Sequence, residues 1–322
     1  LANPNAKIVL GGIAFDWFSN KDDCQGTPGW PINNGSFVFE FLDDVLPTCY
    51  GVPGTERDAN EPEACFDVMN YHSYASFAPN WTRFPDANGL SAGILEKAKY
   101  VRNKLAQYGV GDKPMIITEA GTYSNGTPGD LGATLIMQAQ HVVVYFTQAK
   151  AARITALIWW LLYDLPLKDY PYQAGLVTTG EPAPQKKPAF NAYAIAIAQL
   201  GHAKLERILT PAETDLPLKG FPTMEAYKFR RPSNGRTLGD ALYVAWLNPM
   251  WDDSVKAGKP LRLPATQVTV RDIFGHIVQT VDDADDGKVD SRVTVKVTGS
   301  PIYIEVPAAN EVNFLFLARV SR

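Results

Sequence analysis

The sequence predicts an α/β fold built on a parallel sheet and followed by an all-β module. Three observations carry this. Up to Leu200, short runs rich in branched apolar residues alternate four times with helical patterns. These runs are apolar almost throughout, as in strands covered on both faces. After Gly201 the helical spacing gives way to short strand patterns separated by turn clusters. Repeated strand–helix units imply parallel strands joined by right-handed crossovers. Four such units make either a small open sheet or half of an eight-stranded barrel.

The first strand candidate is Lys7–Ala14 (KIVLGGIA), expected to be buried on both faces. A loop rich in Gly, Pro and Asn spans Asn20 to Gly35. Ser36–Leu46 has helical spacing with Ser36 at the N-cap, and Pro47 and Gly51 are expected to end it. Phe66–Tyr74 (FDVMNYHSY) is the second strand. Gly89 to Tyr108 reads as an amphipathic helix. Its apolar stripe is Ile94, Leu95, Ala98, Val101 and Leu105, with Glu96, Lys97, Arg102 and Lys104 expected to face water. Gly109 and Gly111 stop it. Pro114–Thr118 (PMIIT) is the third strand, ending at Glu119. Asp130 to Ala151 is a helix, Ile154–Tyr163 (ITALIWWLLY) the fourth strand, and Pro188–Leu200 the fourth helix, with Pro188 at a favoured early position.

In the β module the strand candidates are Ala241–Leu247, Gln267–Asp272, His276–Val281, Arg292–Thr298 and Ile302–Val306, suited to an antiparallel sandwich. The acidic run Asp282–Gly287 does not match an EF-hand calcium loop and reads as a solvated hairpin turn. The expected division is a domain over residues 1–202 and a β-sandwich over 203–322.

The 322 residues suffice for one large domain and a smaller one. A net charge of −4 offers no basic footprint, so neither nucleic acid nor an anionic membrane is an expected partner. The longest apolar stretches, such as Ile154 to Leu162, fall short of the ~20 residues a membrane span needs. Cys24, Cys49 and Cys65 form no CxxC pair, so no zinc or redox motif is expected. They permit one disulfide with a thiol left over, and the sequence does not choose the pairing. The opening residues Leu1–Ala6 read as the end of a helix turning into a strand, and a preceding stretch of chain is expected.

Chemistry in parallel barrels gathers at the C-terminal ends of the strands. There the sequence puts Asp16 and Trp17, then His72 and Tyr74, then Glu119, then Trp159, Trp160, Tyr163 and Asp164. Aromatic rings stack on sugar faces and carboxylates perform glycosyl chemistry, so the ensemble suits a carbohydrate better than a phosphate or a metal. Strand alternation lets only one of Trp159 and Trp160 point inward. Asp164 is a lesser candidate, able to cap the following turn. His141, His202 and His276 lie away from these strand ends and read as structural or surface residues. Asn34, Asn80 and Asn125 begin glycosylation sequons.

These segments carry a resemblance. Lys113–Gly121 (KPMIITEAG) resembles the seventh strand of the large clan of retaining glycosidases built on TIM barrels, where a Glu after Ile-Thr is the nucleophile. Asp67–Tyr74 (DVMNYHSY) is similar to that clan's sixth strand, and Asn3–Gly12 (NPNAKIVLGG) to its fifth. Ile158–Asp164, with Ala174-Gly175-Leu176 and Lys187-Pro188-Ala189, is similar to the eighth strand and its sequel. Xylosidase- and cellulase-like families are nearest, and several families of the clan append a β-sandwich.

The resemblance implies a partial (β/α)8 barrel, its last four βα units, followed by an all-β sandwich. It implies Glu119 as nucleophile, with His72, Tyr74, Trp159 and Trp160 as substrate-binding residues, no cofactor and no metal. It also implies that the acid/base Glu of the clan's fourth strand precedes this chain. Asn60-Glu61-Pro62 spells the family's tripeptide but lies before the second strand, on the wrong face. Two alternatives remain: a non-catalytic carbohydrate-binding protein on a degenerate barrel, and, weaker, a metal-dependent hydrolase using His72, Glu119 and an Asp.

Overall fold

The computed structural model describes residues 5–13, 37–51, 65–74, 93–125, 134–165, 173–180, 183–216, 222–233, 239–248, 250 and 255–312. The chain divides into two compact units, Leu1–Phe190 and Asn191–Arg322.

The first unit contains α1 (Phe37–Tyr50), β1 (Met69–Ser73), α2 (Ile94–Gln107), β2 (Met115–Ala120), α3 (Leu135–Ala151) and β3 (Ile154–Trp159). The strands form a parallel sheet in the order β1-β2-β3, so each crossover contains one helix. That is the arrangement a strand–helix repeat requires. Met69, Tyr71, Met115 and Ile117 are buried, as is the stripe Ile94, Ala98, Val101 and Leu105 on α2. Thr134 caps α3, its side chain accepting the N–H of Met137 at 3.1 Å.

The structure corrects several expectations. Residues 5–13 run parallel to β1 through the bridges Val9↔Val68 and Ile13↔Tyr71, but Ile8 and Val9 are 56% and 45% exposed rather than buried on both faces. Among the described residues they line an edge of the sheet, bridged on one side to Val68 and Tyr71. Helix α1 runs through Pro47 to Tyr50, and Gly51 follows in the left-handed region at φ +73°. β3 stops at Trp159 instead of Tyr163. Lys97, expected in water, is completely buried. Cys49 and Cys65 form a disulfide with a Cα–Cα distance of 5.3 Å, tying the end of α1 to the approach to β1. Cys24, the Asn60-Glu61-Pro62 segment, Ser36, Asn34 and Asn80 lie outside the described residues.

Helix α4 (Pro188–Leu200) leads into the second unit, which holds α5 (Pro211–Thr214) and eight strands. These are β4 (Lys204–Ile208), β5 (Thr223–Arg230), β6 (Ala241–Asn248), β7 (Lys259–Leu263), β8 (Gln267–Arg271), β9 (Ile277–Asp282), β10 (Val293–Val297) and β11 (Ile302–Val306). Six form an antiparallel sheet in the order β4-β5-β6-β11-β8-β9, and β7 pairs with β10. One apolar core takes Leu261, Leu263, Val293, Val295 and Val297 from the smaller sheet and Tyr243, Ala245, Val268, Val270 and Ile304 from the larger. The alternation in β10 follows from the two-residue period of a strand.

β4, β5 and β7 show no clear strand pattern in the sequence. Their charges (Lys204, Glu206, Lys228, Arg230, Arg262) and Pro260 mask the apolar signal. Several of those charges pair across strands: Glu206 takes Lys228 Nζ at 2.6 Å and Arg230 Nε at 2.9 Å. In the acidic turn the carboxylates accept backbone N–H groups. Asp283 takes those of Asp290, Ser291 and Arg292 at 2.9 to 3.1 Å, and Asp282 takes that of Ala284.

Candidate active site

The sheet of the first unit brings three strand ends together at its C-terminal edge. β1 delivers His72 and, just beyond it, Tyr74. β2 delivers Glu119, and Trp160 follows β3 directly. Tyr74 Oη donates to Glu119 Oε2 at 2.5 Å. His72 Nδ1 lies 3.3 Å from the same oxygen. The rings of His72 and Tyr74 meet edge to face at a centroid distance of 6.5 Å, and those of Tyr74 and Trp160 at 6.0 Å. The Glu119 side chain is 35% exposed and that of His72 15%, so the carboxylate opens outward over a partly covered imidazole.

Among the described residues both contacts to Glu119 fall on Oε2. Oε2 is thus approached by a phenol and an imidazole, and among the described residues none contacts Oε1. No cation from Lys or Arg contacts this carboxylate among the described residues.

Several groups shape this corner. A Cβ on Gly12 would collide with the His72 imidazole, so only glycine lets the ring lie against residues 5–13. A Cβ on Gly121 would strike the Trp160 carbonyl, which fixes how closely β3's end approaches β2. Trp160 N donates to Ala120 O at 2.8 Å. The Trp160–Leu161 peptide is cis.

Four of the five candidate residues, His72, Tyr74, Glu119 and Trp160, are brought together. Trp159 is not. It is buried, its ring 5.9 Å from Tyr145 on α3 and its Nε1 donating to Ala174 O at 3.0 Å. Neighbouring residues at a strand end face opposite ways, and Trp159 takes the helix side. Asp164 is a buried structural group. Its Oδ1 accepts Lys187 Nζ at 2.6 Å and Gly175 N at 2.9 Å. Lys187 Nζ also reaches Ser124 Oγ and Gln173 O, both at 3.1 Å, joining the segments that follow β2 and β3. Burial lowers the Lys187 ammonium from its ordinary value, against the pull of Asp164. His141 sits in the core with Nδ1 2.8 Å from Met137 O, and burial lowers it too. Asp16 and Trp17 lie outside the described residues. Among the described residues no group of three or more His, Cys, Asp or Glu is arranged to hold a metal ion, and no helix is long and apolar enough to cross a membrane.

Asn70, Lys97, Gly12 and Lys187 went unrecognised in the sequence as neighbours of this corner. Only Lys187 left a signal, a lysine just before a helix-starting proline. The others act through long-range contacts that no local pattern encodes.

No family model matches the chain, and no curated protein matches it. Solved structures do. A family 39 glycoside hydrolase from the gut symbiont Bacteroides cellulosilyticus WH2 aligns over 84% of this chain and 47% of its own, with a TM-score of 0.55 and 16% identity. A glucosidase from Croceicoccus marinus aligns over 95% and 61%, with a TM-score of 0.49 and 14% identity. The chain thus spans 47% of the length of the first of these structures and 61% of the second. The likeness is one of fold: this chain's mixed α/β fold is similar to that of the family 39 glycoside hydrolase.

Proposed function

We propose that this protein is a retaining glycoside hydrolase in which Glu119 is the nucleophile. The first unit then belongs to a larger (β/α)8 barrel, of which residues 1–202 supply the last four βα units, and residues 203–322 form a β-sandwich. Exposed Ile8 and Val9 on one sheet edge and Ile158, 53% exposed, on β3 at the other support a sheet that continues at both sides. The likeness to the family 39 hydrolase supports the same reading.

The observation that carries the proposal is the Glu119 carboxylate at the C-terminal edge of a parallel sheet, with Oε2 held by Tyr74 and His72. Retention needs a carboxylate that attacks the anomeric carbon and a second carboxyl group about 5–5.5 Å away. The Tyr74 hydroxyl on Oε2, with the His72 imidazole 3.3 Å from the same oxygen, orients Glu119, so Oε1 attacks and Oε2 stays anchored as the glycosyl ester forms. Trp160, edge-on to Tyr74, offers an apolar wall for a sugar face. The general acid/base comes from residues outside the described set. It protonates the leaving oxygen, then removes a proton from the water that cleaves the ester.

Trapping tests this directly. A 2-deoxy-2-fluoroglycosyl fluoride needs no protonated leaving group, so the first step proceeds without the acid. The protein is incubated with the gluco, xylo and galacto compounds and read by mass spectrometry. The expected result is one fluoroglycosyl adduct, on the peptide bearing Glu119. An adduct on another residue, or none with any sugar, overturns Glu119 as nucleophile. Sugar binding without an adduct fits the non-catalytic carbohydrate-binding alternative.

A further inference from the structure

We propose that Asn70 and Lys97 are positioning residues that set the His72–Glu119 pair by fixing a bulge in β2, a role that rests on the proposed use of Glu119 as nucleophile.

The register shows the bulge. Tyr71 pairs with Ile117, yet the next residue of β1, His72, pairs with Glu119 rather than Thr118. Against β3 the same strand runs long: Ile117 pairs with Leu157 and Ala120 with Trp159. Between Ile117 and Ala120, β2 thus carries one residue more than the facing stretch of either neighbour, while an opposite shift against β3 lies earlier, between Met115 and Ile116. In a regular ladder Glu119 would lie level with Ser73. The extra residue brings it level with His72 instead. Bulges re-aim a side chain and leave a residue outside the ladder.

Of two buried polar side chains, Asn70 holds the bulged residue itself and Lys97 holds the facing residue of β1. Asn70, 5% exposed, lies on β1. Its Oδ1 accepts both the N–H of Thr118 at 3.3 Å and the Thr118 hydroxyl at 2.9 Å. It satisfies the bulged residue where the ladder does not. Lys97 reaches from α2 behind β1, and its Nζ donates to the His72 carbonyl at 2.6 Å. The His72 N–H donates to Ile13 O at 2.9 Å, so the peptide groups flanking His72 are held on both sides.

Lys97 is the telling residue. It is completely buried on a helix face otherwise made of Ile94, Ala98, Val101 and Leu105. Burying an ammonium is costly, and an apolar residue of similar volume commonly serves stability as well or better. Its Nζ lies 5.5 Å from the Tyr71 ring centroid and is aimed at the backbone carbonyl of His72, so the lysine grips β1 beside the carboxylate's partner.

The test uses Lys97→Met, which keeps the volume, and Asn70→Ala, with Lys97→Arg and Asn70→Asp as conservative partners. Asn70→Asp keeps an acceptor for Thr118. The first readout needs no substrate: the imidazole ¹⁵N resonances of the four histidines. His72→Gln identifies the His72 signal, and Glu119→Gln gives its position without the carboxylate. Lys97→Met and Asn70→Ala are expected to move the His72 Nδ1 resonance toward that of Glu119→Gln. His141, His202 and His276 stay put, Asn70→Asp stays near the native position, and the melting temperature of Lys97→Met does not fall. The second readout is the fluoroglycoside trapping rate, expected to drop about 10- to 100-fold in the two disruptive variants, with the concentration for half-maximal rate unchanged. An unmoved His72 resonance in both variants overturns the positioning role, as does a shift of all four histidines with a loss of stability. A shifted His72 resonance with no trapping even in the native protein upholds the brace and rejects the nucleophile, so the two failures are told apart.

Discussion

Glu119 in the first unit and Glu311 in the second show two uses of the same side chain. Glu311 is 2% exposed, takes Arg230 through both guanidinium nitrogens, and meets Lys228 Nζ at 2.6 Å. Hydrogen bonds from Arg230, then those of Lys228, hold its carboxyl down at about 2 against the effect of burial. Glu119 meets a phenol and an imidazole and stays 35% exposed. A carboxylate ringed by fixed cations has its charge neutralised and both oxygens occupied, which suits it to tying β strands together. A carboxylate approached through one oxygen by a phenol and an imidazole, with no Lys or Arg against it among the described residues, keeps the other oxygen for chemistry. The partners, more than the residue, decide the use.

The strongest way to break this comparison is to make the same isosteric change at both positions. Glu119→Gln is expected to lower glycosyl transfer by more than about 10³-fold with a melting temperature within about 2 °C of the native protein. Glu311→Gln is expected to leave the rate per folded molecule unaltered. Steady-state rates on an activated aryl glycoside, alongside thermal melts, decide it. A Glu119→Gln protein with native turnover ends the nucleophile reading.

Glu311→Gln should instead cost the second unit about 2–3 kcal/mol at pH 7, as Lys228 and Arg230 each lose one of two carboxylates and keep only Glu206. The pH dependence has a definite sign. The folded carboxyl titrates near 2 and the unfolded one near 4.5. The stabilisation is therefore complete above about pH 4.5 and disappears as pH falls toward 2. Urea unfolding of the second unit at pH 7 and pH 3 should show the native protein losing ground against Glu311→Gln at the lower pH. A constant difference between the two would show that this carboxyl is not held down.

A smaller effect sharpens the account of Glu119 itself. Tyr74→Phe deletes one donor to an ionised oxygen, an interaction of about 1.5–3 kcal/mol. Trapping should slow about 10- to 100-fold while the melting temperature barely moves, because the ring still packs edge-on to Trp160. An unchanged rate would mean that the Oε2 anchor does not orient the attack.

The contrast also explains what could be read in advance. The strand–helix order, the ends of β1 and β2 and the placing of His72, Tyr74 and Glu119 there were legible because each depends on residues adjacent in sequence. β4, β5 and β7 were not, since Lys228, Arg230 and Glu206 look solvated until paired across strands. Nor was the choice between Trp159 and Trp160, which depends on where β3 stops. The β2 bulge was hidden for the same reason: Thr118 and Glu119 read as regular strand, and only Asn70, far away in sequence, reveals the extra residue. Lys97 was misassigned because a helical wheel sorts residues by polarity and does not register a carbonyl behind the helix.

Within the second unit, exposure should grade ion pairs as partner type grades carboxylates. Arg262 and Asp290 meet at 2.8 Å, close to the 2.6 Å of Lys228 and Glu311, yet their side chains are 46% and 39% exposed. Water solvates both charges before and after pairing, and salt screens what remains. Arg262→Ala should therefore shift the urea midpoint by less than about 1 kcal/mol, and 0.5 M salt should erase the shift. Glu311→Gln should keep most of its cost in the same salt, because ions do not enter a site whose carboxylate is 2% exposed. An Arg262→Ala cost equal to that of Glu311→Gln, and equally resistant to salt, would mean that distance rather than burial sets the worth of these pairs. The Glu119–Glu311 comparison would then need another explanation.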